Sequence, residues 1–168
     1  KLFQIDGVTI IGGVSLTTAF LGFIYSISYT TAAVTLFMLA LMPFLASLIA
    51  FIFLKERISK QNFLSMVVAF IGTLVMIYAS AFSGSFFGLI MGFVSSLGFA
   101  AFSVALRSKS DIKKFYILIY GGIFCALFSA ILMIINNQDF YIPIKNVYLS
   151  MTHGTLVASG LILFSIGS

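Results

Sequence analysis

Residues 28–80 read SYTTAAVTLFMLALMPFLASLIAFIFL, then KERISKQN, then FLSMVVAFIGTLVMIYAS. Two uncharged apolar runs flank one short charged loop. No residue from Thr31 to Leu54 or from Phe63 to Ser80 carries a charge, and Lys55, Glu56, Arg57 and Lys60 crowd the segment between them. A helix needs about 20 predominantly apolar residues, at 1.5 Å of rise each, to cross the hydrocarbon core of a bilayer. The stretch therefore predicts a helical hairpin that crosses a membrane twice and turns on the side that retains positive charge.

The rest of the chain extends the same pattern. Of 168 residues, 61% are hydrophobic and 8% charged, with a mean hydropathy of +1.20. A soluble domain carries about 25% charged residues, so this composition cannot cover a water-soluble globule. The expected partner is the lipid bilayer. The net charge of +5 does not point to nucleic acid, because the basic residues sit in short loops between apolar runs. The single Cys125 lies inside an apolar run, which excludes a disulfide framework within the chain. No cleavable signal peptide is evident. The chain starts at Lys1 and its last apolar run stops without a polar tail, so it reads as a fragment of a longer protein.

Six spans are predicted, an all-α integral membrane fold. Span one covers Ile5 to Ser28, with Ser15, Thr18, Gly22 and Tyr25 at intervals of three and four on one face. Span two covers Thr31 to Leu54 and carries Thr35, Pro43 and Ser47 along one side. Pro43 removes a backbone donor and clashes with the preceding turn. A bend there frees a carbonyl near mid-membrane, which a neighbouring helix or a cavity must satisfy. Span three covers Phe63 to Ser80, with the small residues Ser65, Ala69, Gly72 and Ala79 suited to helix packing. Span four covers Phe87 to Leu106. Its Gly88-x-x-x-Gly92 pair is continued by Ser96, Phe99 and Ser103. Such a pair can form the seam of a homodimer, and inside a bundle it forms an internal contact. Span five covers Phe115 to Ile135, with a small face at Gly122, Ala126 and Ser129. Span six covers Val147 to Ser168 and holds the only histidine, His153, beside a hydroxyl face of Tyr148, Thr152, Thr155 and Ser159.

Charge placement sets the expected topology. With the N-terminus inside, Lys1, Lys55, Arg57, Lys60, Arg107, Lys109, Lys113 and Lys114 all lie inside, and only Lys145 lies outside. Both ends are therefore expected on the inner side.

The order of residues in the opening stretch resembles the drug/metabolite transporter superfamily, specifically its EamA-like family. The resemblance rests on Tyr29-Thr30, the small pair Ala32-Ala33, Pro43 in mid-span, Glu56-Arg57 after the helix, and Gly72 in the next helix. Two positions depart from the pattern: Lys55 and Ser65 stand where glycines are common. Span four, with Gly88, Phe99-Ala100 and Arg107, is similar to the opening helix of the family's second repeat, and Phe99 replaces a usual tryptophan. The resemblance implies ten helices in two inverted five-helix repeats. Residues 1–84 would be the last three helices of the first repeat, and residues 85–168 the first three of the second. It also implies a bacterial cytoplasmic membrane, and a structural role for Glu56 and Arg57 in the inner loop.

No metal cluster, phosphate-binding glycine loop or pair of carboxylates is apparent in the sequence, and no cofactor is implied. Ser159 and His153 lie on nearly opposite sides of one helix, which argues against a serine hydrolase and against an enzyme generally. Asp6, Glu56, Asp111 and Asp139 lie at span ends or in loops, so no charged side chain sits mid-span, where charge is costly and usually functional. His153 is the one residue placed to couple protons. The resemblance implies a permease moving a small metabolite by alternating access, most often by export; the visible walls suit a neutral or zwitterionic solute. The alternative is a non-transporting membrane subunit whose small-residue stripes serve packing alone. The expected substrate cavity is lined by Ser15, Thr18, Gly22, Tyr25, Thr35, Pro43, Phe99, Tyr148, Thr152, Thr155 and Ser159. Span three is expected at its periphery.

Overall fold

The computed structural model describes residues 6–56, 59–80, 85–109, 111–137, 141 and 143–167. Among these, every regular element is a helix: α1 (Gly7–Tyr29), α2 (Ala32–Leu39), α3 (Met42–Phe53), α4 (Lys60–Ser80), α5 (Phe86–Arg107), α6 (Asp111–Ile135) and α7 (Ile144–Gly167). Their starts follow from local chemistry. Asp6 accepts hydrogen bonds from the Thr9 N–H at 2.9 Å and the Thr9 hydroxyl at 2.8 Å. Thr31 accepts from the Val34 N–H, and Ser85 from the Phe87 N–H. Each satisfies an orphan donor of a first turn. Asn137, just past the end of α6, adopts a left-handed conformation, which asparagine tolerates better than most residues.

Among the described residues, five helical segments are long and apolar enough to cross a membrane: α1, α2 with α3, α5, α6 and α7. The third predicted span is α4, in which the described apolar stretch, Phe63–Gly72, is shorter than that requirement. The second predicted span is two helices, with the break at Ala40–Leu41.

At the centre of the packing, α5 contacts α1, α2 and α3, while α6 lies along another side of α1. Leu16 of α1, Phe102, Ala105 and Leu106 of α5, and Ile117 of α6 form the buried core. Elsewhere the surface is dominated by exposed large apolar side chains, Ile11, Phe53, Leu64 and Ile134 among them, as a lipid-facing exterior requires.

The α1–α5 seam is built by small residues. A Cβ at Gly98 would lie 2.8 Å from the Ala19 nitrogen and the Ser15 carbonyl oxygen, and one at Gly22 would lie 2.9 Å from the Met91 oxygen and the Ser95 nitrogen. The two backbones thus approach each other through glycines. The Ser95 hydroxyl donates to the Ala19 carbonyl at 2.8 Å across the seam. The Gly88/Gly92 pair also faces inward, against Tyr29 and Thr30 and against Ser26 and Met38 respectively.

The two ends of the seam are tied differently. At one end, the start of α1 and the end of α3 both reach the end of α5, through ion pairs between Asp6 and Lys109 and between Glu56 and Arg107. The Lys109 ammonium, joined by the Thr9 hydroxyl and N–H, holds the Asp6 carboxyl well below the usual carboxylate range. At the other end, the Ser85 N–H donates to the Tyr29 carbonyl at 3.0 Å.

Candidate functional site

The break in the second span carries the most unusual local chemistry. Pro43 stands in the first turn of α3, where its missing N–H is tolerated. The same absence leaves the Leu39 carbonyl without the donor that a continuous helix would provide. The chain tightens across the gap: the Ala40 N–H donates to the Leu36 and Phe37 carbonyls at 3.0 and 3.1 Å, and the Leu41 N–H to the Met38 carbonyl at 3.1 Å. The Ser96 hydroxyl of α5 also donates to the Met38 carbonyl. A neighbouring helix thus reaches the break at Met38, whose carbonyl also accepts from Leu41, and not at Leu39, the carbonyl that Pro43 deprives of its helical donor.

Just before the break, the Tyr29-Thr30 corner folds α1 onto α2 around a hydroxyl cluster. Thr35 and Ser26 are fully buried, with their hydroxyl oxygens 2.9 Å apart. The Thr30 hydroxyl lies 3.2 Å from that of Thr35 and donates to the Ser26 carbonyl at 2.8 Å. Thr35, expected as a cavity wall, thus holds the corner.

Two hollows bear on function. One of about 440 Å³ lies against the break, between Ala40, Leu41, Pro43, Phe44 and Ser47 on one side and Ser65, Met66 and Phe70 of α4 on the other. The third predicted span forms a wall of this smaller hollow, and no described residue of it lines the larger one. The Phe44 and Phe70 rings lie with centroids 6.3 Å apart and planes 28° from parallel. The larger hollow, about 570 Å³, lies between α1, α6 and α7 and is bounded mainly by apolar side chains such as Leu16, Phe20, Ile24 and Leu161, with His153 and Cys125 on its wall.

The other expected site residues fall in three environments. Gly22 is sealed into the α1–α5 seam, where α5 backbone occupies the space a solute would need. Ser15 presents its carbonyl to Gly98 in the same seam, and the Thr18 hydroxyl donates to the Val14 carbonyl of its own helix at 2.9 Å. Tyr25 stacks on Tyr29 and meets the Phe87 ring edge-on, as Phe99 meets Phe20. On α7, Tyr148, Thr152, Thr155 and Ser159 are all exposed. The hydroxyls of Thr152, Thr155 and Ser159 donate to Leu149, Thr152 and Thr155 carbonyls of their own helix. Spans one and six do border the larger hollow, but through the faces beside their hydroxyl faces. Glu56 pairs with Arg107; Arg57 lies outside the described residues. Sequence reasoning did not assign Gly122, Cys125, Ala126 and Ser129 to a cavity, although they line the larger hollow. Their spacing on one face of α6 was the available signal.

Comparison with known proteins bears on the broken span directly. Residues 5–78 match the EamA-like transporter family. The matched segment contains the Tyr29-Thr30 corner, the break with Pro43, and Glu56. No curated protein matches the chain, and no solved structure does. Lys55, which stands where the family pattern commonly has glycine, adopts a left-handed conformation with φ of 55°, the backbone geometry for which glycine is favoured. Residues 5–78, somewhat under half of the chain, are thus similar to the EamA-like transporter family, and the match ends within α4.

Proposed function

We propose that this protein is a membrane permease that exports a small neutral or zwitterionic metabolite, amino-acid-like in size, by alternating access. The observation that carries this reading is the interrupted second span. Discontinuous helices near the bilayer midplane are where secondary transporters expose backbone groups to cargo, and α2 and α3 part after eight of the residues in that span. Residues 1–84 and 85–168 are read as parts of two inverted repeats of a ten-helix fold, with both ends of the described bundle cytoplasmic. This orientation places the Asp6–Lys109 and Glu56–Arg107 pairs on the inner side.

The packing refines what would move. Although α5 belongs to the second repeat in this reading, it is tied to α1 and α2 by the Ser95 and Ser96 hydrogen bonds and to the ends of α1 and α3 by two ion pairs. These four helices are treated as one rigid body. The boundary that opens and closes lies between that body and α7, at the 570 Å³ hollow. His153, on that wall, is assigned the coupling role.

Flux of radiolabelled amino acids and related metabolites from proteoliposomes tests the reading. Saturable export that Pro43→Ala reduces at least fivefold, with insertion retained, is the expected result. No flux for any member of a broad metabolite panel would overturn it.

A further inference from the structure

We propose that the gap between α3 and α4 seats an anionic phospholipid, with its phosphate on Lys55 and Lys60 and one acyl chain in the hollow beside Pro43. The inference goes beyond the permease reading and does not depend on it.

Charge decides the headgroup. Among the described residues, the carboxylates at this end of the bundle are already taken: Asp6 pairs with Lys109 and Glu56 with Arg107. Lys55, just past α3, and Lys60, the first residue of α4, are exposed and form no ion pair among the described residues. Two cations therefore stand at the end of one hairpin with no described counter-charge. Basic sites between membrane helices hold lipid phosphates, and each lysine near the surface adds to the attraction for an anionic headgroup.

Below the lysines, polarity falls in steps. Helix α4 packs against α2 rather than α3, which leaves the hollow of about 440 Å³ between α3 and α4. Ser47 and Ser65 are the polar side chains that line it. The chain turns back between the two helices, so both serines stand at the lysine end of the hollow. Ser65 lies about 7.5 Å along α4 from Lys60. Neither serine hydroxyl makes a hydrogen bond among the described residues, whereas Thr18 and Ser159 bond back to their own helices. Deeper in, Leu41, Phe44, Met66 and Phe70 make the wall apolar. A second hollow of about 350 Å³ shares Leu41 and Phe70 and continues to Leu74, Leu89 and Phe93. Ser65 and Leu74 are about 13.5 Å apart along α4, close to the depth of one leaflet, about 15 Å.

The order of cations, unbonded hydroxyls and apolar groove is the order of phosphate, ester carbonyls and acyl chain in a phospholipid. The serine hydroxyls are donors suited to the ester carbonyls. A zwitterionic headgroup would bring its own cation to the lysines. A soluble phosphate would leave the groove unused.

Native mass spectrometry of the detergent-solubilised protein tests this with phosphatidylglycerol and phosphatidylcholine that carry the same acyl chains and are added in equal amounts. Phosphatidylglycerol is expected to occupy the protein at least about fivefold more than phosphatidylcholine. The double change Lys55→Gln and Lys60→Gln is expected to bring that ratio near unity. The control Lys113→Gln with Lys145→Gln, which removes two exposed lysines of α6 and α7, is expected to leave it unchanged. Ser65→Phe places bulk in the gap at an exposed position and is expected to lower retention of phosphatidylglycerol several-fold. Equal occupancy by the two lipids, or a ratio unchanged by Lys55→Gln and Lys60→Gln, would overturn the proposal. So would an equal fall in the control, which would reduce the effect to bulk charge, or retention undiminished by Ser65→Phe. A lipid-free dimer would put a second copy in the gap and overturn it as well. Flux plays no part in these readouts, so the permease reading and this site can fail separately.

Discussion

The α1–α5 seam and helix α7 are made of the same residue types and behave in opposite ways. Both carry glycine, serine and threonine at intervals of three and four. In the seam, glycines bring two backbones together, and the Ser95 and Ser96 hydroxyls donate across to carbonyls of other helices. On α7, a Cβ at Gly154 or Gly160 would meet nothing within 4 Å, and the hydroxyls of Thr152, Thr155 and Ser159 bond only to their own helix. A small polar face can thus be a joint or an open surface, and the difference lies in what sits opposite. Hydroxyls that bond back to their own helix need no partner, so such a face is tolerated in lipid and is equally available to line a pathway.

Steric substitutions should separate the two regions most sharply. Gly98→Leu drives a side chain into the α1 backbone and is expected to destabilise the bundle by about 3 kcal/mol, at the upper end of overpacking costs. Gly160→Leu should change stability by less than about 0.5 kcal/mol. Thermal unfolding in detergent, read by size exclusion, checks both. Comparable losses at the two positions would mean that α7 is packed against a partner as tightly as α5.

Hydroxyl deletion gives a smaller contrast. Ser96→Ala removes the cross-helix donor to Met38 and is expected to cost about 1 kcal/mol, within the range of interhelical hydrogen bonds in membranes. Ser159→Ala, which loses only an own-helix bond, should be close to neutral. The same unfolding assay measures this difference.

This contrast also marks how far the sequence can be read. Five of the six predicted spans and the interruption at Pro43 were legible because they depend on run length and on the chemistry of one residue. Pro43 also marked Leu39 as the carbonyl left without its helical donor, whereas the Ser96 hydroxyl reaches Met38, one residue earlier, which the sequence did not indicate. The fate of Gly22 and Thr35 was not legible. Spacing places them on a face but does not say that α5 closes over Gly22 or that Ser26 and Thr30 enclose Thr35. The hydroxyl face of α7 had the same pattern as that of α1, so both were read as cavity walls. The small face of α6 was given no role, yet it lines the larger hollow.

Two changes at the charged end of the seam should have the smallest effects. Lys55 holds a left-handed conformation that costs a side-chain-bearing residue about 1 kcal/mol. Lys55→Gly is therefore expected to raise the unfolding temperature slightly, and Lys55→Ala to leave it unchanged. Asp6 has its carboxyl pKa depressed in the folded state, chiefly by Lys109. Its stabilising contribution is complete above the unfolded carboxylate value of about 3.9 and is lost as pH falls through the lower folded value. Asp6→Asn should thus lower stability at pH 7, and its gap to the parent protein should narrow only in strong acid. A gap that already closes between pH 7 and pH 5 would contradict that ion pair.

The central claim is that α1, α2, α3 and α5 form one body and that α7 moves against it. Double electron–electron resonance tests this with two spin-label pairs in a Cys125→Ser background in nanodiscs. One pair joins Ile11 of α1 to Phe86 of α5, and the other joins Phe86 to Leu163 of α7; all three side chains are exposed. The account predicts a single narrow distance for the first pair and a broad or two-peaked distribution for the second. A first pair as broad as the second, or two narrow distributions, would contradict it.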